Sequence, residues 1–376
     1  MKTPFGQPIE SDNLTLVWNT MLESSKYREK RKEVTAYNAA NRWKKQGIAC
    51  MPLKYGIVKG GPEKNTYQCL QGAALINIYL DGSVKISHGG VEMGQGLNTK
   101  CMQVAAQALG IPVSLVEITQ ADTDIIPNAT GSEASVTSDI YCMAVLDGCK
   151  KLLESFKPLK EETPDLTWKE LVQAAYKNKI SLTCVGWMKD ESLDFDRYTA
   201  KGRAYRYFTY GAACCHVEID CLTGASQILS ADIVMDIGRS LNTSIDIGQI
   251  EGAFAQGLGL YLTEEVTVDL NPKSRNYGHF TSSNLSTYKI PTAQDMPIKW
   301  NIQIVNAFEK RAAVHSSKGV GEPPLCLALS AFMAVKDAIY SARAEEGITG
   351  HFDFHAPATS EAIRMACADK IVKDIG

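Results

Sequence analysis

Two stretches of this chain repeat one order of hydrophobic and polar positions. In the first, Ala74-Leu75-Ile76-Asn77-Ile78-Tyr79-Leu80 meets the alternating Ser83-Val84-Lys85-Ile86-Ser87 across Asp81-Gly82, a pair favoured in two-residue hairpin turns. A glycine-rich loop from His88 to Gly96 follows. Helical spacing then runs from about Asn98 to Leu109, where Gly110 and Pro112 stop it. In the second stretch, Gly211 to Asp220 and Gln227 to Met235 read as a hairpin around Cys221-Leu222-Thr223-Gly224. Gly238 and Asn242 mark a loop, and Ile245 to Leu262 reads as a helix carrying Gln249. Hairpin, glycine loop and helix thus occur twice with little identity between copies, which predicts a structural duplication rather than a repeat array.

The remaining pattern fills in around these units. Leu14, Val17, Trp18, Met21 and Leu22 stand at helical spacing, so residues 1–45 form a helical lead-in with no strand of its own, the tail of something longer. Leu115 to Thr119 is a short strand. A polar loop through Pro127 and Ser132 leads to a long helix over about Ser135 to Phe156. Residues 157–205 hold a helix near Trp168 to Tyr176 and an aspartate-rich loop. Ile298 to Val305 alternates as a half-buried strand does, and a closing helix spans about Pro324 to Ala344. Mixed strands and helices with hairpins predict an α+β fold, a two-lobed module of residues 46–345 with a C-terminal tail over 346–376, not a doubly wound sheet.

Composition narrows the function classes. The chain has 376 residues, 45% hydrophobic and 22% charged, which is a soluble globular balance with room for two lobes. A net charge of -3 leaves no footprint for nucleic acid. The run Lys26 to Glu33 alternates in sign and reads as a solvated helix face. The longest apolar run, about Leu325 to Val335, falls short of the ~18 residues a membrane span needs. No secretory leader opens the sequence, so the expected compartment is the cytoplasm, with the thiols reduced. None of the eleven cysteines forms a Cys-x-x-Cys pair, which favours buried structural thiols over a zinc or iron–sulfur site.

Three places can carry chemistry, each with a bland alternative. Met93-Gly94-Gln95-Gly96 is either a tight turn needing positive φ or a backbone that approaches a phosphate or pterin, with the Gln95 amide donating and accepting at once. It is not G-x-G-x-x-G, since Thr99 takes the last place. Ser132-Glu133-Ala134-Ser135-Val136-Thr137 is either an anion cradle at a helix start or plain N-capping by Ser132 or Ser135, and Glu133 sits awkwardly beside a phosphate. Glu322, between Gly319-Val320-Gly321 and Pro323-Pro324, lies at a helix start, either as an ionised base beside space left by the glycines or as an acidic cap. Lys318 is a charge partner for it or a loop lysine. The six histidines show no metal-ligand spacing, and no Gly-x-Ser-x-Gly elbow occurs.

The loop His88 to Lys100 read with Lys318-Gly319-Val320-Gly321-Glu322-Pro323-Pro324-Leu325 resembles the molybdopterin-binding domain of the xanthine dehydrogenase and aldehyde oxidase family, specifically its C-terminal half. Asp220 to Gly224, Asp232 to Asp236, Ile245 to Phe254 and Tyr288-Lys289-Ile290-Pro291 extend the likeness over roughly residues 15–370. The resemblance implies a molybdopterin cofactor with molybdenum and hydroxylation of a purine, an aldehyde or an N-heterocycle at an sp² carbon, with water as the oxygen source. It implies Glu322 as the base that deprotonates the metal's hydroxyl ligand. Met93, Gly94, Gln95 and Gln249 would be cofactor contacts, Ser132, Ser135 and Thr137 cradling hydroxyls, and Ala134 a residue whose backbone lies near the metal. FAD and 2Fe-2S clusters belong to upstream domains without counterpart here, as does the other wall of the pocket. The full enzyme is expected to be a homodimer. Residues 59–68 depart from an aromatic pocket loop of the purine enzymes, which leaves substrate choice open. The alternative is a truncated or remnant homologue that binds without turning over.

Overall fold

The computed structural model describes residues 1–9, 12–58, 71–190, 192–307 and 313–375. The departing loop at 59–68 lies outside them. The lead-in forms α1 (Leu14–Ser24) and α2 (Tyr27–Ala40), followed by β1 (Lys44–Ile57). The first unit comprises β2 (Gln71–Ile78), β3 (Val84–His88), α3 (Leu97–Leu109) and β4 (Val116–Ile118), then α4 (Thr137–Glu162), α5 (Trp168–Lys177) and β5 (Thr183–Lys189). The second comprises β6 (Tyr207–Asp220), β7 (Ser226–Asp236), α6 (Thr243–Leu258) and β8 (Lys299–Val305). The chain closes with α7 (Pro323–Leu327), α8 (Leu329–Glu345), α9 (Ser360–Ala366) and α10 (Lys370–Ile375).

The expected duplication is visible in the sheet order. One sheet runs β4-β3-β2-β5, the other β8-β7-β6-β1. In each, a hairpin sits in the middle, and its second strand pairs in parallel with the strand that returns after the glycine loop and helix. Its first strand pairs antiparallel with an outer strand. That outer strand comes after the hairpin in one unit and before it in the other.

Packing explains the burial pattern along the strands. The first sheet rests on α3, α4 and α5, and its core holds Ile76, Ile86, Leu97, Val104, Ile140 and Phe156. The second sheet is covered on both faces. Val17, Met21 and Val34 from the lead-in close one side, against Tyr210, Cys214 and Val234. Ala331, Ala334 and Val335 of α8 close the other with Phe254 of α6. A strand buried on both faces reads as a continuous apolar run, as β6 does. Phe352, Ala358 and Ile363 beyond residue 345 join this second core.

Several boundaries differ from the sequence expectation for local reasons. The first hairpin turns through Leu80-Asp81-Gly82, with Tyr79 N donating to Ser83 O at 2.9 Å, so its loop has three residues rather than two. β1 and β5 were not legible as strands. The closing helix breaks at Ala328 into α7 and α8. Pro323–Glu345 is long and apolar enough to cross a membrane by length and composition, longer than the apolar run suggested. It packs as a core helix pair, with 56% of its most apolar window buried.

Candidate cofactor site

The two units meet where their helices begin. The starts of α3, α4, α6 and α7 open on one cavity of about 440 Å³. It is lined by Met93, Gln95, Ser132, Ala134, Ser135, Thr137, Gln249 and Glu322, which are all the nominated residues except Gly94. Glu133, Lys100, Asp246, Asp139 and Gln256 line it too. A helix start carries partial positive charge, and α4, whose N-cap makes no side-chain bond, brings one to the cavity wall.

The glycine loop is held by its own side chains. Glu92 accepts from the backbone N of Gly94 (3.0 Å), Gly96 (2.9 Å) and Asn98 (2.9 Å), so the chain itself already places a carboxylate on the start of α3. The Gln95 amide folds back, its Oε1 accepting from Met93 N and its Nε2 donating to Val91 O at 2.7 Å. One Nε2 hydrogen is left for a ligand. Gly94 sits at φ 96 in open space. Gly96, at φ 73, lies where a Cβ would meet Ile245 Cδ1 at 2.4 Å, so the absent side chain lets the starts of α3 and α6 touch.

The second loop is strained. Ala134 and Ser135 both occupy the left-handed region, at φ 54 and 56, which costs non-glycine residues roughly 1–2 kcal/mol each. Such strain persists where surrounding contacts over-determine it and is concentrated at functional sites. Neither Ser132 nor Ser135 caps α4. Its N-cap is Val136, with no side-chain bond. Ser132 Oγ accepts from Val91 N (2.8 Å) and Ser135 Oγ accepts from Glu322 N (2.9 Å), tying three loops together. The start of this 26-residue helix is therefore open to the cavity.

The third loop is anchored at nearly every residue. Lys318 is not a partner for Glu322. Its Nζ meets Asp236 Oδ2 at 2.8 Å, both side chains buried. Gly319 N donates to Tyr207 Oη (2.9 Å), and Gly319 O accepts from Thr209 Oγ1 (3.1 Å). Tyr207 Oη donates to Asp139 Oδ2 at 2.6 Å, and Arg206 lies against the same carboxylate. Burial pushes the Asp139 carboxyl up to about 6 against the opposing pull of Arg206. A Cβ on Gly319 would meet Ser135 O at 2.5 Å, so that glycine makes room for a neighbouring loop rather than for a ligand. Gly321 borders only Ser135 Oγ and Gln249 Oε1, at 3.4 and 3.5 Å from an added Cβ.

Glu322 is exposed to the cavity, and its carboxylate makes no cap bond to α7, which has only five residues. Its Oε2 accepts from the Tyr55 hydroxyl at 3.1 Å. The acidic-cap reading thus has no bond to rest on. Asp246, whose place beside the second loop suggested a surface or capping acid, is instead buried and pairs at 2.7 Å with Lys100, joining α3 to α6, with Ser240 on the other aspartate oxygen at 2.6 Å. A lysine on the otherwise apolar face of α3 was the available signal. Its partner, 146 residues away, was not readable.

The side-chain polar groups of Thr137, Ser138, Gln249 and Gln256 line the cavity and show no protein partner among the described residues. Amides and hydroxyls left unspent on a concave wall suit a ring with a donor–acceptor edge, such as a pterin. No group of three or more His, Cys, Asp and Glu that could hold a metal ion occurs among the described residues.

Comparison with known proteins gives the same answer. Residues 20–297 match the family model of the molybdopterin cofactor-binding domain. The chain is 47% identical over 369 residues to the xanthine dehydrogenase of Drosophila pseudoobscura pseudoobscura and 42% identical over 374 residues to aldehyde oxidase 1 of Bos taurus. These alignments cover 98% and 100% of this chain, and it spans about a quarter of those relatives, 27% of each. The fold matches that of a solved aldehyde oxidoreductase from Desulfovibrio gigas with a TM-score of 0.79 at 22% identity, over 98% of this chain and 37% of that one. The chain belongs to the molybdopterin cofactor-binding domains of the xanthine dehydrogenase and aldehyde oxidase family.

Proposed function

We propose that this chain holds the cofactor and carries the catalytic base of a molybdenum hydroxylase acting on a purine, an aldehyde or an N-heterocycle. The observation that carries the reading is the Glu322 carboxylate, facing the cavity, unspent on any helix cap and steadied from two sides. Bound in the cavity, the cofactor supplies a two-electron acceptor for oxidation of an electron-poor sp² carbon. Gln249, Thr137, Ser138 and the open start of α4 would hold it. Gln95 would offer its one spare amide hydrogen, and the strained Ala134 would bring its backbone close. The role of Glu322 is to accept a proton at a carboxylate oxygen and so raise the nucleophilicity of the attacking oxygen. Lys100 and Lys318, which also line the cavity, keep their charges inside ion pairs with Asp246 and Asp236.

The remaining length of the relatives would complete the pocket wall and the electron path, in a cytoplasmic homodimer. Residues 264–298 expose Leu270, Phe280, Leu285 and Ile298, each more than 60% accessible, a surface suited to pack against that remainder. The experiment is molybdenum and pterin content after co-production with the missing portion. Gln249→Ala is expected to lower both. Gln95→Ala is expected to lower them indirectly, by loosening its loop. Full retention in both variants removes these residues from the cofactor site.

A further inference from the structure

We infer that Tyr55 is the positioning residue for Glu322, and so sets the orientation in which the carboxylate meets its proton. This rests on the proposed role of Glu322. The argument starts from the loop that carries it. Val320 packs into the second core and fixes the backbone, but Gly319-Val320-Gly321 carries no polar side chain to hold the carboxylate, and the five-residue α7 supplies no cap bond. The one bond to the carboxylate among the described residues comes from across the structure, 267 positions away, through the Tyr55 hydroxyl to Oε2. The other oxygen, Oε1, is left for the cavity.

The frame behind Tyr55 is rigid in the right place. Tyr55 lies on β1 directly opposite Thr209 of β6. Thr209 donates to Gly319 O while Tyr55 donates to Glu322, so one cross-strand pair grips both ends of the Gly319–Glu322 loop. Ser135 Oγ completes the grip on the Glu322 backbone. Tyr55 itself is half-buried. Its phenol is pushed up to about 12, chiefly by burial and then by the Glu322 charge, so it remains a donor throughout the working pH range. A phenylalanine would fill the same space and leave the carboxylate free to rotate.

The test uses Tyr55→Phe in two measurements. In the chain labelled with 13C at glutamate carboxyls, the Glu322 resonance is identified by its loss in Glu322→Gln. Tyr55→Phe is expected to move that resonance more than any other, and an unmoved resonance overturns the contact. In the enzyme assembled with its missing portion, Tyr55→Phe at equal molybdenum content is expected to lower kcat about tenfold or more with KM little changed, since misplacing a reacting group by about 1 Å can cost about 100-fold. Unchanged kcat, or a change confined to KM, overturns the positioning role. If Glu322→Gln keeps its turnover, the base assignment fails on its own account, while the resonance measurement still decides the contact.

Discussion

Lys318→Met is the sharpest probe of what holds the loop that carries Glu322. The substitution keeps most of the stem volume and removes the ammonium that meets Asp236 at 2.8 Å. The Asp236 side chain is fully buried, at 0% exposure, and among the described residues would keep two neutral donors, Asn13 Nδ2 at 2.9 Å and Gly238 N at 3.1 Å. Removing one member of a buried pair strands the other charge, at a cost of about 3–5 kcal/mol. At roughly 2.1 cal/mol/K of unfolding entropy per residue, a chain of this length has about 0.8 kcal/mol/K, so a loss of about 4 kcal/mol lowers Tm by about 5 °C. Urea unfolding followed by circular dichroism reads the change directly. Adding Asp236→Asn removes the stranded charge while keeping an oxygen for one neutral donor, so the double variant is expected to recover a large part of the loss. A single variant within about 1 kcal/mol of wild type, or a double variant worse than the single, refutes this reasoning.

Other expectations follow from the same contacts. Because burial raises the Asp139 carboxyl to about 6 from 3.8, the folded state binds a proton more tightly than the unfolded chain, so this group lowers stability as pH rises from about 4 to 6. Asp139→Asn is therefore expected to gain stability relative to wild type across that window, measured by urea midpoints at several pH values, and the opposite trend contradicts it. Gly319→Ala places a Cβ 2.5 Å from Ser135 O, where only backbone movement gives relief, and is expected to destabilise by about 1–3 kcal/mol and to weaken cofactor retention. Deleting residues 346–376 removes Phe352, Ala358 and Ile363 from the second core, and at about 1.5–3 kcal/mol for each large apolar side chain is expected to cost on the order of 5 kcal/mol. An unchanged melting profile would show that segment to be a dispensable tail.

The hairpins, glycine loops and helices were legible because each combines a local periodicity with a punctuating turn. β1 was not, since Pro52 and two glycines interrupt it and its lysines read as surface. It is an edge strand, where proline is tolerated, and the fully buried Lys45 is neutralised by Glu345 at 2.6 Å. β5 hid for a similar reason, with Gly186 tight against the backbone of α4. The site residues came from motif resemblance, and the structure gathers nearly all of them around one cavity. What the sequence withheld was pairing at long range: Lys318 with Asp236, Lys100 with Asp246, and Tyr55 with Glu322. Nor could it show that Glu92 occupies the start of α3, or that the Gln95 amide is largely spent on its own loop. Each of these depends on which loops the fold brings together, and no local spacing encodes that.

The most direct test of the central claim is Glu322→Gln in the enzyme assembled with its missing portion, comparing turnover per bound molybdenum with melting temperature. The amide is nearly isosteric and can still accept from Tyr55, so cofactor content and Tm are expected to match wild type. It cannot take up the proton, so turnover per molybdenum is expected to fall by about two to four orders of magnitude. An acidic cap would instead lose about 1 kcal/mol of stability at an unchanged rate per folded molecule. Near wild-type turnover per molybdenum in this variant contradicts the account.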